Sequence, residues 1–246
     1  MAVSPGSHDS STTYALSARF YDKIYSFKDY AAEAELLRST ILHHRPGARR
    51  LLDVACGTGE HLRHLRAHFE VEGVDAGPEM LEIARAKLPD VRFHRGDMRT
   101  FDLGRTFDVV ICLFGATGHL RGNAELAASL GRMAAHLVPG GVLIVEPWLA
   151  PEAVVPGHVS GRFVDEPDFK LARLSVGVRR GDRFLLDLHH LVATPAGVEH
   201  FVEHFDMTLF PIDVYRSAMD ALGLRVEFDA QGPMGRGLFV GLKPAE

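Results

Sequence analysis

An apolar strand that runs into a glycine turn is the feature that most constrains this chain. Residues Leu51–Ala55 are typical of a buried strand, Gly57 and Gly59 form the turn, and a helix is predicted over Glu60–Phe69. A ligand can approach the backbone closely at such a turn, because glycine lacks a Cβ and tolerates positive φ. The helix that follows directs free N–H groups at the same place. The segment therefore predicts a ligand-binding strand–turn–helix unit.

A second acid marks the next predicted strand. Asp75 follows the apolar run Val71–Val74, and an acid at this position of a doubly wound sheet commonly binds the hydroxyls of a ribose. A dinucleotide is disfavoured, because the G-x-G-x-x-G fingerprint needs a third glycine where this chain has Leu62. The G-x-x-x-x-G-K-[ST] signature of a P-loop does not occur either. The two features predict a cofactor that contains a nucleoside.

Strands and helices alternate from the start of the chain to Glu146. Such alternation predicts a parallel sheet with helices on both faces, in which ligands bind at the carboxyl ends of the strands. The predicted strands are Leu51–Ala55, Val71–Asp75, Val91–His94, Val109–Leu113 and Val142–Glu146. The predicted helices are Asp29–His43, Glu60–Phe69, Pro78–Lys87 and Ala124–Leu137.

The pattern changes after Trp148. Apolar and polar residues alternate over Phe169–Val178, Arg183–Thr194 and Gly197–Phe210, which predicts an antiparallel insertion of three or four strands. A helix (Asp213–Leu222) and two further strands (Arg225–Phe228, Gly237–Leu242) then resume the first pattern. The predicted fold class is α/β, a doubly wound and mostly parallel sheet with an antiparallel β insertion after the fifth strand. Residues 14–148 and 211–246 would form one domain and residues 149–210 the insertion.

Composition excludes several classes of protein. The chain has 246 residues, 46% of them hydrophobic and 24% charged, which suits one large globular domain with an insertion. A net charge of −5 argues against a nucleic-acid partner, which would require a basic face. No apolar run approaches the roughly 18 residues that span a bilayer, so no membrane partner is expected. Residues 1–13 are polar, are predicted to be disordered, and lack the pattern of a secretory signal.

The two cysteines indicate the compartment. Cys56 and Cys112 both lie in apolar strand contexts and are predicted to be buried free thiols. Free thiols are typical of a reducing environment, and we therefore expect a cytoplasmic protein. No metal site is expected, since no C-x-x-C pair occurs.

Four residues beside the predicted strand ends are candidates for chemistry. His119 follows the fourth strand, where an imidazole with a pKa near 6.5 suits a general base; a surface histidine is the alternative. Glu146 could bind a substrate hydroxyl or ammonium. Trp148 could form a platform for a sugar or base. Alternatively, it could pack as a hydrophobic residue at a hinge that leads into the insertion. Arg236, with a glycine on each side, could approach a diphosphate, or lie solvated in a plain turn.

The motif D-x-A-C-G-T-G at Asp53–Gly59 resembles the first motif of class I S-adenosylmethionine-dependent methyltransferases. The resemblance implies a seven-stranded Rossmann-like sheet, in which Ala55 and Gly57 face the amino-acid part of S-adenosylmethionine and Asp75 binds its ribose. Asp97 would bind the adenine amino group, with a helix N-cap as the alternative. The other cofactor-binding positions are Met80, Met98 and Leu113, with Tyr14, Tyr21 and Tyr30 of an N-terminal segment that closes over the cofactor. Tyr14 is also a candidate catalytic residue, because its hydroxyl could point at the sulfonium.

A narrower resemblance covers nearly the whole chain from Tyr14 onward. The segments that resemble the nucleotide-linked aminosugar N-methyltransferases of macrolide and related antibiotic biosynthesis are Lys28–Ala34, Leu51–Gly59, Gly96–Arg99, Val145–Trp148 and Gly235–Gly241. The resemblance implies a TDP-linked deoxy amino sugar as substrate, one or two methyl transfers, and a homodimer. It also implies that His119 lies near the sugar and Arg236 near the diphosphate. The family often has a second aromatic residue where this chain has Leu149 and a histidine where it has Val176, so the sugar stays open.

The implied reaction is an in-line displacement, in which a neutral sugar amine attacks the methyl carbon and S-adenosylhomocysteine leaves. Because the sulfonium supplies the driving force, the protein mainly positions the amine and excludes water. Two alternatives stay open from the sequence. One is an O- or N-methyltransferase for another small molecule, and the other is a protein that binds S-adenosylmethionine without turnover.

Overall fold

A computed structural model describes residues 14–155 and 157–245 of the chain. The predicted disorder of residues 1–13 lies outside the described residues. The described part contains a seven-stranded sheet and a four-stranded sheet. The predicted fold class is confirmed, since the second sheet is antiparallel and is inserted after the fifth strand of the first.

The seven-stranded sheet has the strand order β10-β11-β5-β4-β1-β2-β3. Its strands are β1 (Arg50–Val54), β2 (Glu70–Asp75), β3 (Arg92–Arg95), β4 (Phe107–Cys112), β5 (Leu137–Val145), β10 (Arg225–Asp229) and β11 (Leu238–Leu242). Strand β11 is antiparallel to both β10 and β5, whereas the pairs from β5 to β3 are parallel. The carboxyl ends of five strands therefore meet at one edge.

The helices cover both faces of this sheet. They are α2 (Tyr30–His44), α3 (Glu60–Leu65), α4 (Pro78–Lys87), α5 (Asn123–Ala135) and α6 (Ile212–Asp220), whereas the short helix α1 (Tyr21–Ile24) packs on the inserted sheet. The Asp29 side chain caps α2 by accepting the N–H of Ala32 at 2.9 Å. Helix α3 ends at Leu65, four residues before the predicted end at Phe69, in a turn where His68 and Phe69 both donate to the Leu65 carbonyl.

The fifth strand begins earlier than predicted. It is predicted over Val142–Glu146, yet β5 begins at Leu137 and contains the glycine-rich segment Pro139–Gly141. The register with β4 jumps there, because Phe107 pairs with Leu137 and Val109 pairs with Val142. Gly140 has a φ of 70°, a value that glycine adopts without strain. The segment is therefore an irregularity inside the sheet and not a connection to it.

The inserted sheet has the order β6-β7-β8-β9 and is antiparallel throughout. Its strands are β6 (Val159–Glu166), β7 (Phe169–Arg180), β8 (Arg183–Thr194) and β9 (Gly197–Thr208). The predicted ranges cover the last three strands apart from the final two residues of β7, but they do not include β6, whose residues are mostly exposed and carry little apolar alternation. One face of this sheet looks toward the strand ends of the first sheet, and the other face is open.

Apolar side chains pack on both faces of the seven-stranded sheet, with Leu51 and Ile111 on one side and Leu52 and Val110 on the other. A smaller cluster joins the inserted sheet to residues 14–27, which we call the lid segment. There Phe20 and Ile24 pack against residues of β7 and β8. In the described part of the chain, no helix is long and apolar enough to cross a bilayer.

Candidate functional site

A cavity of about 570 Å³ separates the carboxyl edge of the seven-stranded sheet from the inserted sheet. The lid segment closes a third side. The predicted site residues that line it are Tyr14, Tyr21, Ala55, Gly57, Asp75, Met80, Asp97, Met98, Leu113, His119, Trp148 and Arg236. Tyr30 and Glu146 are not among the lining residues. Residues from three distant parts of the chain thus converge on one space.

The end of β2 is organised around Asp75. Its carboxylate accepts the N–H of Gly57 at 2.8 Å and the N–H of Gly77 at 2.8 Å. Burial raises the pKa of Asp75, and the backbone hydrogen bonds offset part of that rise. The carboxylate therefore ties the turn after β1 to the turn after β2, and it faces the cavity where two further hydroxyl donors could reach it.

Backbone strain concentrates at the cavity. Among the described residues, three that are not glycine have a positive φ: Tyr14 at 70°, Ala55 at 61° and Phe114 at 57°. All three line the cavity. A side chain in this left-handed region costs on the order of 1 kcal/mol, so surrounding contacts must hold each residue there.

Asp97 lies after β3 and binds Arg99. The guanidinium donates Nε to one carboxylate oxygen at 2.9 Å and Nη2 to the other at 2.5 Å. This partner lowers the pKa of Asp97, although burial opposes the change. The carboxylate also accepts the N–H of Arg99 at 2.8 Å, so it supports the local turn in the manner of the N-cap alternative. Met80 and Met98 complete this end of the cavity.

An aromatic cluster surrounds His119, which lies in a short 3-10 helix (Ala116–His119) after β4. The rings of Tyr14 and Phe205 lie 5.8 Å and 5.9 Å from the imidazole, and Tyr14 also contacts Tyr21 at 5.5 Å. Burial lowers the pKa of His119 to about 4. It likewise raises the pKa of both Tyr14 and Tyr21 well above the ordinary value. All three side chains are therefore neutral near pH 7, and the expected imidazole pKa near 6.5 does not apply in this environment.

Glu146 and Arg236 form a buried pair in place of two separate substrate ligands. The Glu146 side chain is 1% exposed and lies 3.3 Å from the guanidinium of Arg236, which is 10% exposed. The other carboxylate oxygen of Glu146 accepts the N–H of Phe114 at 2.6 Å. The Arg236 guanidinium lies 5.2 Å from the rings of both Phe114 and Trp148. The pair holds the strained end of β4, and Glu146 itself does not line the cavity.

Two glycines of the loop after β4 serve packing. A Cβ on Gly115 would lie 2.7 Å from Cε3 of Trp148, and a Cβ on Gly118 would lie 2.7 Å from both Trp148 and Met207. Neither position has room for any side chain. The glycines therefore let the only tryptophan of the chain pack closely against the loop.

Tyr30, a predicted cofactor ligand, lies at the first residue of α2 and outside the cavity lining. Its ring contacts His61 at 5.0 Å and lies 5.2 Å from the ammonium of Lys28. That ammonium is fully buried and pairs with Glu33 at 2.7 Å. The tyrosine packs over a buried ion pair.

Sequence reasoning found Tyr14 and Tyr21 but missed the residues that the inserted sheet contributes and the other residues of the lid segment. Those that line the cavity include Tyr25, Phe27, Ser160, Arg162, Arg173, Ser175, Phe205 and Met207. The strand residues all lie on one face of the inserted sheet, so the alternation along each strand was an available signal. Which face turns toward the cavity depends on tertiary packing, which alternation alone does not reveal.

Comparison with known proteins decides the family. The family described as "Methyltransferase domain" matches residues 51–141. The chain is 47% identical over 233 residues to dTDP-3-amino-3,6-dideoxy-alpha-D-glucopyranose N,N-dimethyltransferase of Streptomyces fradiae, covering 93% of this chain and 91% of that protein. The chain belongs to the aminosugar N,N-dimethyltransferase group of the methyltransferases. Both the broad and the narrow resemblance seen in the sequence are thereby confirmed.

Solved structures at 40–45% identity share the fold over more than nine-tenths of the chain. The crystal structure of DesVI from Streptomyces venezuelae gives a TM-score of 0.89 at 45% identity, covering 93% of this chain and 98% of that one. CalS10, an amino pentose methyltransferase of Micromonospora echinaspora solved with S-adenosylmethionine bound, gives 0.83 at 40% identity, covering 96% and 99%. The inserted sheet is included in both matches, because each covers more than nine-tenths of the chain.

Proposed function

We propose that this enzyme transfers one or two methyl groups from S-adenosylmethionine to the amino group of a TDP-linked deoxy amino sugar. The observation that carries the proposal is the single cavity, which joins a nucleoside-binding edge at Asp75 to a second wall built by the inserted sheet. A donor and an acceptor can lie in one such space with their reacting atoms in line. The named relative acts on a 3-amino sugar nucleotide, and CalS10 binds S-adenosylmethionine.

The residues of the sheet edge suit the donor. Asp75 would accept the ribose hydroxyls, while Ala55 and Gly57 leave the backbone open to the amino-acid part of the cofactor. Asp97, Met80 and the residues beside them would surround the adenine. In this assignment, residues 14–148 and 211–246 bind the cofactor, and residues 149–210 contact the substrate.

The acceptor amine would lie beside His119 and Tyr14. Its nitrogen lone pair forms the new N–C bond as the C–S bond breaks, and the electron pair leaves with the sulfur of S-adenosylhomocysteine. The nitrogen then loses a proton to water. With its pKa lowered to about 4, the His119 imidazole is a weak base that stays neutral at pH 7. It would therefore act by accepting a hydrogen bond from an N–H of the amine. Its role is to orient the lone pair, and the amine must arrive unprotonated.

The test is mass spectrometry of the purified protein with S-adenosylmethionine and TDP-amino sugars that carry the amine at C-3 or C-4. We expect gains of one and then two methyl groups, with the 3-amino sugar preferred. His119→Asn should slow transfer about 10-fold without abolishing it, since it removes an orienting hydrogen bond. No mass gain on any sugar, with S-adenosylmethionine binding intact, would refute the substrate and leave a methyltransferase for another small molecule or a non-catalytic binding protein.

We propose a homodimer that meets through the open face of the inserted sheet. This face exposes large apolar side chains from neighbouring strands, including Phe163 at 74%, Leu191 at 51% and Val176 at 50%. Contiguous exposed apolar residues of this kind mark association surfaces. Sedimentation of the wild type and of Phe163→Lys would test it, since the lysine should shift the protein toward the monomer.

A further inference from the structure

Asp22 of α1 fastens the lid segment to the turn after β1. One carboxylate oxygen of Asp22 accepts a hydrogen bond from the hydroxyl of Thr58 at 2.5 Å. The other oxygen accepts a hydrogen bond from Nζ of Lys87, the last residue of α4, at 2.5 Å. Thr58 lies between Gly57 and Gly59, the two glycines of the turn, and is 2% exposed. A single carboxylate thus joins the lid segment to two elements of the other domain, and we call Asp22, Thr58 and Lys87 the latch.

The ammonium of Lys87 is held in place from its other side. It also binds the carboxylate of Glu60, the first residue of α3. Lys87 ends one helix and Glu60 begins another, so each charge lies at the helix end where the helix dipole favours it. Although burial alone would raise the pKa of Glu60, the contacts with Lys87 and Arg63 lower it below the ordinary value. Glu60 is therefore charged near pH 7 and keeps Lys87 within reach of the lid segment.

The opposite side of the lid segment packs on the inserted sheet. Phe20 and Ile24, four positions apart and so on one side of the lid segment, pack in one apolar cluster with Phe169 and Leu171 of β7. Asp22 lies about half a helical turn from both and faces away from that sheet. Helix α1 has only four residues and would not be stable on its own. Its position therefore depends on these two sets of contacts.

The latch lies behind the cavity wall. None of its three residues lines the cavity, but a chain neighbour of two of them does, since Tyr21 precedes Asp22 and Gly57 precedes Thr58. The ring of Tyr21 lies 5.5 Å from the ring of Tyr14, which also lines the cavity. The latch can therefore act on a bound cofactor only by fixing the residues that surround it.

We propose that Asp22 is a positioning residue that retains S-adenosylmethionine by holding the lid segment against the turn after β1. With the latch formed, Tyr14 and Tyr21 stay at the cavity and restrict the exit of the cofactor. When the Asp22 carboxylate is lost, the lid segment keeps its packing on the inserted sheet but is released from the turn, and the cofactor leaves faster. This inference rests on the proposed position of S-adenosylmethionine beside Asp75, and it is independent of the acceptor.

The test is a chase of radiolabelled S-adenosylmethionine from the full chain by excess unlabelled S-adenosylmethionine. Asp22→Ala should raise the dissociation rate about 10-fold, since two charge-assisted hydrogen bonds are lost. Thr58→Val should raise it about 3-fold, whereas Thr58→Ser keeps the hydroxyl and should recover most of the retention. The matched control is Arg19→Gln, which alters an exposed residue of the lid segment that pairs with Glu199 of the inserted sheet and should leave the rate unchanged.

A double variant separates positioning from a general loss of stability. If the two side chains act through one contact, Thr58→Val should add less than about 2-fold to the dissociation rate of Asp22→Ala. In steady-state kinetics, Asp22→Ala should raise the KM for S-adenosylmethionine about 10-fold and lower kcat less than about 3-fold. Dissociation rates that multiply in the double variant, or a fall in kcat without a rise in KM, would contradict the proposal.

The remaining outcomes distinguish this inference from the proposed function. Unchanged dissociation rates in both Asp22→Ala and Thr58→Val would overturn the latch, even if the enzyme methylates sugar nucleotides. If Asp75→Asn also leaves S-adenosylmethionine binding unchanged, the proposed position of the cofactor is wrong, and the inference falls with it. Thermal unfolding without ligand shows whether a variant has kept its fold. Should Asp22→Ala fail to fold, Asp22→Asn replaces it and should raise the dissociation rate about 3-fold, because a neutral acceptor remains.

Discussion

The two walls of the cavity are built in different ways. At the edge of the seven-stranded sheet, backbone amides carry much of the geometry, as where Asp75 accepts the N–H groups of Gly57 and Gly77. On the inserted sheet, side chains carry it, and Arg162 meets Arg173 only through the register of two strands. The first wall is a local consequence of strand–turn–helix units. The second depends on how four strands and the lid segment pack, so it can change without disturbing the cofactor edge.

The largest expected effect concerns Arg236, which lines the cavity and whose guanidinium lies 3.3 Å from the buried carboxylate of Glu146. Arg236→Gln should lower the free energy of unfolding by about 3 kcal/mol, because it leaves Glu146 buried without its partner. Chemical denaturation measures this. Arg225→Gln, which alters an arginine that is 73% exposed in a 3.4 Å pair with Glu227, should change it by about 0.5 kcal/mol or less. If Arg236→Gln keeps its full stability but loses sugar-nucleotide binding selectively, the main role of Arg236 is to bind the substrate.

The next effect would show that the walls act separately. Asp75→Asn should weaken S-adenosylmethionine binding about 100-fold, since the amide replaces a charged acceptor with a neutral one that also carries a donor. Thymidine diphosphate binding should be unaffected. Calorimetric titration measures both, and Asp90→Asn, at an acid with 82% of its side chain exposed, is the control. Equal losses of both ligands would mean that the two walls do not act independently.

A smaller effect is expected where the lid segment meets the inserted sheet. The buried Glu203 accepts the N–H of Ser17 at 3.0 Å, and Phe205 on the same face of β9 packs on Tyr14 at 4.8 Å. Glu203→Ala should lower kcat about 10-fold through the loosened Tyr14, while Glu203→Gln retains an acceptor and should recover most of the rate.

The matched control for that prediction lies on the same strand. Glu199 contacts the lid segment through an exposed pair with Arg19 at 2.7 Å, and Glu199→Gln should change kcat less than about 2-fold. If Glu199→Gln and Glu203→Ala lower kcat equally, the burial of Glu203 does not explain the effect of its contact with the lid segment.

The smallest effect is a dependence of stability on pH. The pKa of His119 is about 4 in the folded protein and near 6.5 when unfolded, so between these values only the unfolded chain takes up the proton. Stability should therefore fall as the pH drops from 6.5 to 4 and level off below that. His119→Asn should lose less stability over this window in denaturation curves at pH 7, 5.5 and 4.5. Equal pH dependence in both proteins would show that the imidazole titrates normally.

The cofactor wall was accessible from the sequence because its residues follow strand ends within short motifs. Asp75, Gly57 and Met80 were placed correctly at the cavity for that reason. Tyr30 was misplaced, because a tyrosine beside a lid and a tyrosine that packs on a buried lysine look alike in sequence. The pairing of Arg162 with Arg173 could not be predicted, since no local pattern specifies the register of their two strands. Glu146 was found as a residue but not as a partner of Arg236, 90 positions away, for the same reason.

The three strained residues at the cavity bear on how this protein can be engineered. Tyr14, Ala55 and Phe114 each adopt a left-handed backbone conformation, and all three line the cavity. A screen that selects only for heat resistance would favour glycine or asparagine at such positions, because these residues adopt a positive φ more readily. Each such change would relieve the backbone strain and loosen the packing of the cavity wall around the substituted residue. Thermostable variants of this enzyme are therefore better sought on the outer helices, and selection should score turnover together with survival.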